Sequence, residues 1–354
     1  MTRVVLMKRP PMPGWTRVAI PVAAVIVTLI ITAIPILFAG ANLWQAYRAL
    51  VFGALGTRFN FFETLLKSAP LVLTGLAVAF AFRAKFWNIG AEGQLLAGGI
   101  VATWLGIADF GLPAIIYIPM IMVTGFVAGA LWASIPAILK TKLHVDDVVS
   151  TLLLNFVMIH IMGALLFGPL QNPEASWPVS AEIAEAARYP QIVTRTRFHI
   201  GIPFAYALVL VVWFINAKTV LGYRSQAVGV NLKAARFGGI PTTKVVLVTA
   251  AISGGLAGLA GVGEVAAVQY KLLSGISPGY GYTGIVIAML GNLHPVGVFL
   301  AALFFSIINV GSQTMSRMAG IPSFISGVME GVALMVMLVF LLLNTYRFKL
   351  AKAE

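Results

Sequence analysis

Long apolar runs, broken by short polar stretches, dominate this chain. A hydrocarbon core about 30 Å thick needs roughly 20 apolar residues per helix. Runs of that kind lie at about 18–39, 64–82, 88–107, 114–138, 148–168, 202–217, 245–268, 279–292, 295–313 and 323–344. They predict an all-α polytopic integral membrane protein of about ten transmembrane helices. The run at 279–292 is short and glycine-rich, and His294-Pro295 separates it from the next. That junction leaves a helical hairpin or a re-entrant pair open, with eight or nine spans as alternatives. Ten spans put both termini on one side.

Charge orients the pattern. Of the 24 Lys and Arg residues, sixteen fall in the segments that ten spans place inside, including Lys140, Lys142, Arg224, Lys233 and Arg236. The positive-inside rule then makes both termini cytoplasmic. The chain reads as one membrane domain over 1–354, with an external loop at 169–201 and a cytoplasmic loop at 217–244. The first apolar run exceeds the 7–15 residues of a signal-peptide core, which predicts an uncleaved first span. The stretch Ser180 to Arg188 is helix-capable, yet the external loop reads mainly as a solvated connector.

Composition agrees with a membrane class. The 354 residues are 60% hydrophobic and 10% charged, with a mean hydropathy of +0.95. A soluble fold of this size lacks the polar cover for so much apolar surface. The net charge of +13 follows from the positional bias and does not call for nucleic acid. There are no cysteines, and the four histidines lack metal-ligand spacing, so thiolate chemistry is excluded and a metal centre is not expected.

Enzyme chemistry finds little support. No P-loop motif occurs, so ATP is not expected to bind this chain by that route. Gly279-Tyr-Gly-Tyr-Thr-Gly284 matches a dinucleotide fingerprint but opens a membrane segment instead of following a strand. Ser253-Gly254 and Ser326-Gly327 lack the flanking glycine and histidine partner of a serine nucleophile. The glycines between 253 and 263 form small-xxx-small faces, which favour close helix packing in lipid.

Ionisable and amide groups inside apolar runs are the sharper signal. Such a charge costs on the order of 2.5–3.5 kcal/mol at a span centre, so it faces a cavity, a partner or a bundle interior. Asn88, Glu92, Gln94, Asn155, Glu264 and Asn309 are the candidates for a translocation pathway; Glu330 is a further buried acid. Phe86-Trp-Asn-Ile-Gly-Ala-Glu-Gly-Gln94 packs two glycines, an acid and two amides together, which predicts an interrupted or closely packed segment, buried in protein or lining a cavity.

A second unusual stretch runs from Ser225 to Gly239. Asn231 is an N-cap candidate and Gly238-Gly239 a stop, predicting one short surface helix on which a soluble partner can push. Leu232 and Ala235 share one face by i,i+3 spacing, and Lys233 and Arg236 share another.

Together these segments resemble the permease subunit of a bacterial ATP-binding-cassette importer, of the nucleoside and simple-sugar branch (ribose-type, akin to branched-chain amino acid permeases). The resemblance rests on residues 86–94, on Ser150-Thr-Leu-Leu-Leu-Asn155, on 227–240, on the glycine run 253–263, and on 285–297, covering about 65–345. It implies that Asn231, Leu232, Lys233, Ala234, Ala235, Arg236, Phe237, Gly238 and Gly239 form the coupling helix that seats on a separate ATPase. Lys233 stands where the wider import-permease pattern has glutamate. The implied function is the transmembrane pathway of an ATP-driven importer for a nucleoside or related small solute, multi-pass in the bacterial inner membrane. No cofactor is expected in this chain; ATP and magnesium would belong to the ATPase. The implied partners are ATPase subunits, a second permease chain of the same or a different kind, and an external substrate-binding protein. The alternatives are a proton-coupled secondary transporter using Glu92, Glu264 or Glu330, and an intramembrane enzyme.

Overall fold

A computed structural model describes residues 2–8, 16–322 and 324–352. Their order is β1 (Thr2–Lys8), α1 (Thr16–Phe38), α2 (Leu43–Leu55), α3 (Arg58–Arg83), α4 (Ala91–Ile107), α5 (Ala114–Leu143), α6 (Asp147–Leu166), α7 (Gly201–Lys218), α8 (Val220–Val230), α9 (Leu232–Phe237), α10 (Thr242–Gly263), α11 (Tyr280–Leu290), α12 (Pro295–Ala319), α13 (Ile325–Thr345) and β2 (Tyr346–Lys352). A π-helical turn, Glu264–Gln269, extends α10.

Six described helices are long and apolar enough to cross a membrane: α3, α5, α6, α7, α10 with its π turn, and α12. Apolar residues of α1 and α2 pass the same test together but bend by 117°, which would make a seventh span. Helix α2 was not expected, because it lies between the first two apolar runs, at about 18–39 and 64–82. The helix at α11 spans only 11 residues, as the glycine-rich run at 279–292 foreshadowed.

The chain divides into two units, residues 62–306 and residues 1–61 with 307–354. In the second of these, α1 packs along α13, and the terminal strands pair antiparallel from Thr2↔Lys352 to Lys8↔Tyr346. The all-helical expectation therefore misses one two-stranded ribbon, formed by Val4-Val5-Leu6 and Tyr346-Arg-Phe-Lys-Leu350. Both segments alternate or are β-branched, but neither signals a partner so distant in sequence.

In the unit 62–306, α3 and α10 are central and α5, α6 and α7 peripheral. The most apolar window is 89% buried in α3 and 78% in α10, against 22% in α5 and in α7. Exposed apolar faces on the outer helices suit lipid, while the inner helices meet one another. Close approach there depends on missing side chains. A Cβ on Gly258 would lie 3.2 Å from the Gly129 Cα and overlap the Gly125 carbonyl oxygen; one on Gly261 would lie 2.8 Å from the Gly99 nitrogen. Helices α4, α5 and α10 thus cross backbone to backbone, the packing that substitutes for a hydrophobic drive inside lipid.

These contacts make a two-sided prediction. Gly258→Leu should destabilise the purified protein by about 3 kcal/mol or more, read as a lowered midpoint of thermal unfolding. Gly163→Ala on α6, where an added Cβ meets nothing within 4 Å, should be neutral or stabilising by up to about 1 kcal/mol. Equal effects from the two variants would refute the packing assignment.

Candidate functional site

The interrupted segment lies between α3 and α4. Helix α3 closes with a Schellman-type turn, Phe86 N donating to Ala81 O at 3.2 Å and Lys85 N to Phe82 O at 3.0 Å. Lys85 takes the left-handed position at φ 51°. Residues 86–89 then run outside any helix, with Asn88 N donating to Phe86 O at 2.9 Å and Ile89 N to Trp87 O at 3.1 Å, and α4 begins at Ala91.

Side chains from neighbouring helices satisfy the backbone that this break frees. Asp147 Oδ2 accepts from Trp87 N at 2.6 Å and from Lys140 Nζ at 2.5 Å, and Lys140 also donates to Lys85 O at 2.6 Å. Thr151 Oγ1 lies 3.2 Å from the donating Ile89 N and 3.3 Å from Trp87 O. Asn155 Nδ2 donates to Ile89 O at 2.9 Å, and its Oδ1 accepts from Gly93 N at 2.8 Å. Asn88 and Gln94 exchange two amide hydrogen bonds of 2.8 Å each, and Asn88 also donates to Ser253 Oγ at 2.9 Å. Asn88, Gln94 and Asn155 come together as the pattern predicts, all fully or almost fully buried. Their polar atoms are committed to protein partners. The supporting Asp147, Lys140 and Thr151 were not singled out; the Asp147–Lys140 pair sits at the α5–α6 turn, where sequence reads only a charged connector.

Glu92 is also placed here, 4% exposed. Its Oε2 accepts from Gly281 N at 2.7 Å. Gly281 lies in the first turn of α11, and Glu92 itself lies in the first turn of α4. One carboxylate therefore faces the positive ends of two helices, which favours its charge although it is buried.

Glu264 opens the π turn after α10 and is 4% exposed. It lines a small cavity with Tyr189, His199 and residues of α3, α5 and α7. Asn309 belongs to the other unit. Glu330 lies on α13, and its side chain is outside the described residues.

The loop 169–200 is docked, contrary to its reading as a solvated connector. Ile183 N donates to Tyr270 O at 2.9 Å, Tyr189 N to Ala266 O at 2.8 Å and Ala184 N to Gly106 O at 2.8 Å. Arg188 lies 4.7 Å over the Tyr270 ring, and Arg197 pairs with Glu63. Carbonyls at the π turn and at the end of α4 supply acceptors that the loop amides take up. The expected helix at 180–188 is reduced to one 3-10 turn, Glu185–Ala187, because these tertiary hydrogen bonds replace helical ones. Burial pushes the Tyr189 phenol up and the His199 imidazole down to about 4.

In the island at 225–239 the expected short helix between Asn231 and Gly238 is α9, and residues 225–230 belong to the end of α8. Asn231 separates the two helices, at φ −153° and ψ 104°, and its Oδ1 caps α9 by accepting from Ala234 N at 3.1 Å. Helix α9 ends in a Schellman motif: Ile240 N donates to Ala235 O at 3.0 Å, and Gly239 takes φ 79°. Ala235 is buried while Leu232 is 43% and Phe237 97% exposed. A single anchoring alanine faces the protein, so Leu232 and Ala235 do not form a common outward face. Lys233, Ala234, Arg236 and Phe237 face out. Just before α9, Gly229 packs on the Arg83 carbonyl, where α3 ends.

Comparison with known proteins agrees with this arrangement. Residues 60–343 match the family described as branched-chain amino acid transport system / permease component. The chain belongs to this family. It is 33% identical over 353 residues to the glucose ABC transporter permease protein TsgB13 of Haloferax volcanii, covering 97% of this chain and 93% of that one. It is 36% identical over 310 residues to the guanosine ABC transporter permease protein NupP of Bacillus subtilis, covering 86% and 88%. A nucleoside ABC transporter permease protein of Lactococcus lactis, NupB, is 30% identical over 315 residues, covering 86% of each. No solved structure matches the chain. This permease is thus a multi-pass transport subunit of an ATP-driven importer and not an enzyme.

Two outcomes test the site. Asn155→Leu removes the partners of Gly93 N and Ile89 O, each costing about 1–3 kcal/mol if left unsatisfied, so the variant should lose thermal stability in proportion. A variant that keeps wild-type stability would contradict the scaffold. For His199, the folded value of about 4 lies below the ordinary 6.5, so the unfolded state binds the extra proton. Its contribution is present above pH 6.5 and is lost as pH falls towards 4. His199→Phe should flatten that part of the stability profile measured between pH 7 and 4; an unchanged slope would refute it.

Proposed function

We propose that the permease carries a nucleoside or related small solute inward across the bacterial cytoplasmic membrane, driven by a separate ATPase that seats on α9. The observation that carries this reading is the construction of α9. A six-residue helix capped at both ends presents two cations and a ring 97% exposed, and is rooted by one buried alanine. A rigid, charged knob of this kind suits docking in a groove, with charge providing steering and the aromatic an anchor.

The substrate class follows from relatives named for guanosine, nucleosides and glucose. The topology has ten spans and cytoplasmic termini. It is supported by contacts within the unit 62–306: Arg83 meets Gly229, and Lys85 meets Lys140, joining three segments assigned to the inside. Gly106, Ile183 and Tyr270 join the segments assigned to the outside. The partners in this reading are ATPase subunits holding ATP and magnesium, an external substrate-binding protein, and a second permease chain.

The chain lacks cysteine, so a single Phe237→Cys should crosslink to a cysteine placed in the cognate ATPase groove. Ala235→Cys, buried against the protein, should not. Phe237→Ala should weaken ATPase binding by about 2 kcal/mol. Labelling of Phe237→Cys only from outside the cell would contradict the proposal, as would uptake abolished by a protonophore but untouched by vanadate.

A further inference from the structure

Glu264 is the one acid inside the unit 62–306 whose geometry the scaffold leaves unexplained. Among the described residues, none donates a hydrogen bond to its carboxylate. Its charged neighbours, Lys67, Arg197 and Glu63, act on it only at longer range. Arg197 is committed to Glu63, and Lys67 donates to the Tyr280 hydroxyl at 3.3 Å. A carboxylate 4% exposed in apolar surroundings and lacking a donor is costly. The site is therefore incomplete as the chain alone builds it.

Two adjoining spaces show what completes it. The cavity lined by Glu264 has a volume of about 20 Å³, enough for one water-sized group. Beside it lies a groove of about 550 Å³ whose walls are wholly apolar, formed by α5, α7, α10 and the end of the docked loop. The two share Met122, Tyr189, Gly201, Phe204 and Leu259 as lining. Helices α5 and α7 are peripheral and mostly exposed, so the groove opens towards lipid. An occupant must then be apolar over most of its length and end in a compact hydrogen-bond donor.

We propose that this is a phospholipid site: an acyl chain lies in the groove, and a primary-ammonium headgroup reaches Glu264. The ammonium supplies three donors and a charge opposite to the carboxylate, in a volume close to that of water. A trimethylammonium headgroup has no N–H and exceeds the cavity. A glycerol headgroup brings no positive charge. The site thus selects aminolipid over other phospholipids, and this occupancy is independent of the transported solute.

The test uses the purified permease complex in nanodiscs containing equal amounts of phosphatidylethanolamine and phosphatidylglycerol, with retained lipids counted by native mass spectrometry. The wild type should retain phosphatidylethanolamine over phosphatidylglycerol by roughly tenfold, from one charge-assisted contact. Replacing phosphatidylethanolamine by phosphatidylcholine should abolish the preference. Glu264→Gln should bring the two lipids to parity, and Met122→Trp should reduce retention of both by obstructing the groove with the carboxylate intact. Absence of preference in the wild type, a preference that survives Glu264→Gln, or no retained lipid at all would each overturn the proposal. If Glu264→Gln does not assemble, the phosphatidylcholine exchange and Met122→Trp still decide. None of these readings needs ATP or solute, so they fail or succeed apart from the transport assignment.

Discussion

Backbone donors and acceptors that a broken helix frees among packed helices must find protein partners, because burial there removes the water that would otherwise take them up. That constraint organises the centre of this permease. The chain stops being helical at Arg83 and resumes at Ala91. The intervening amides and carbonyls are met by Asp147, Thr151 and Asn155, spaced four residues apart along one face of α6. Four-residue spacing keeps three side chains in line along a helix, so α6 is a rail against which a non-helical segment can lie.

The break has a consequence for the helices around it. It lets α4 start deep inside the protein, beside the start of α11, and Glu92 then serves both helix N-termini. Two positive ends brought together would repel; a shared carboxylate turns the juxtaposition into an attraction. Glycines on α4, α5 and α10 complete the frame by allowing backbones to touch. The frame reaches α9 through Gly229, which packs on Arg83 at the point where the break begins. A displacement of α9 therefore meets the interrupted segment within a few residues.

Much of this was legible in the residues. Asn88, Glu92 and Gln94 marked the interruption because amides and acids are expensive in an apolar run, and Asn231 with Gly238-Gly239 marked the limits of α9. The partners were harder to see. Asp147 and Lys140 read as ordinary loop charges, since nothing local says that one will face a backbone amide sixty residues away. Helix α2 fell in the stretch left between the first two apolar runs, and the terminal ribbon was hidden by the absence of any long-range pairing signal. The docked loop 169–200 looked solvated because its hydrogen bonds run to distant carbonyls, at the end of α4 and in and after the π turn at Glu264–Gln269. Periodicity finds elements; it does not find what an unwound backbone will be bonded to.

Hydrogen–deuterium exchange resolved over residues 84–94 tests this account most directly. If side chains of α6 hold the break, the amides of Trp87, Ile89 and Gly93 should exchange slowly in the wild type. That of Gly93 should be released by Asn155→Leu, while neighbouring helical amides stay protected. Rapid exchange of all three amides in the wild-type complex would contradict the claim that this segment is a fixed part of the frame.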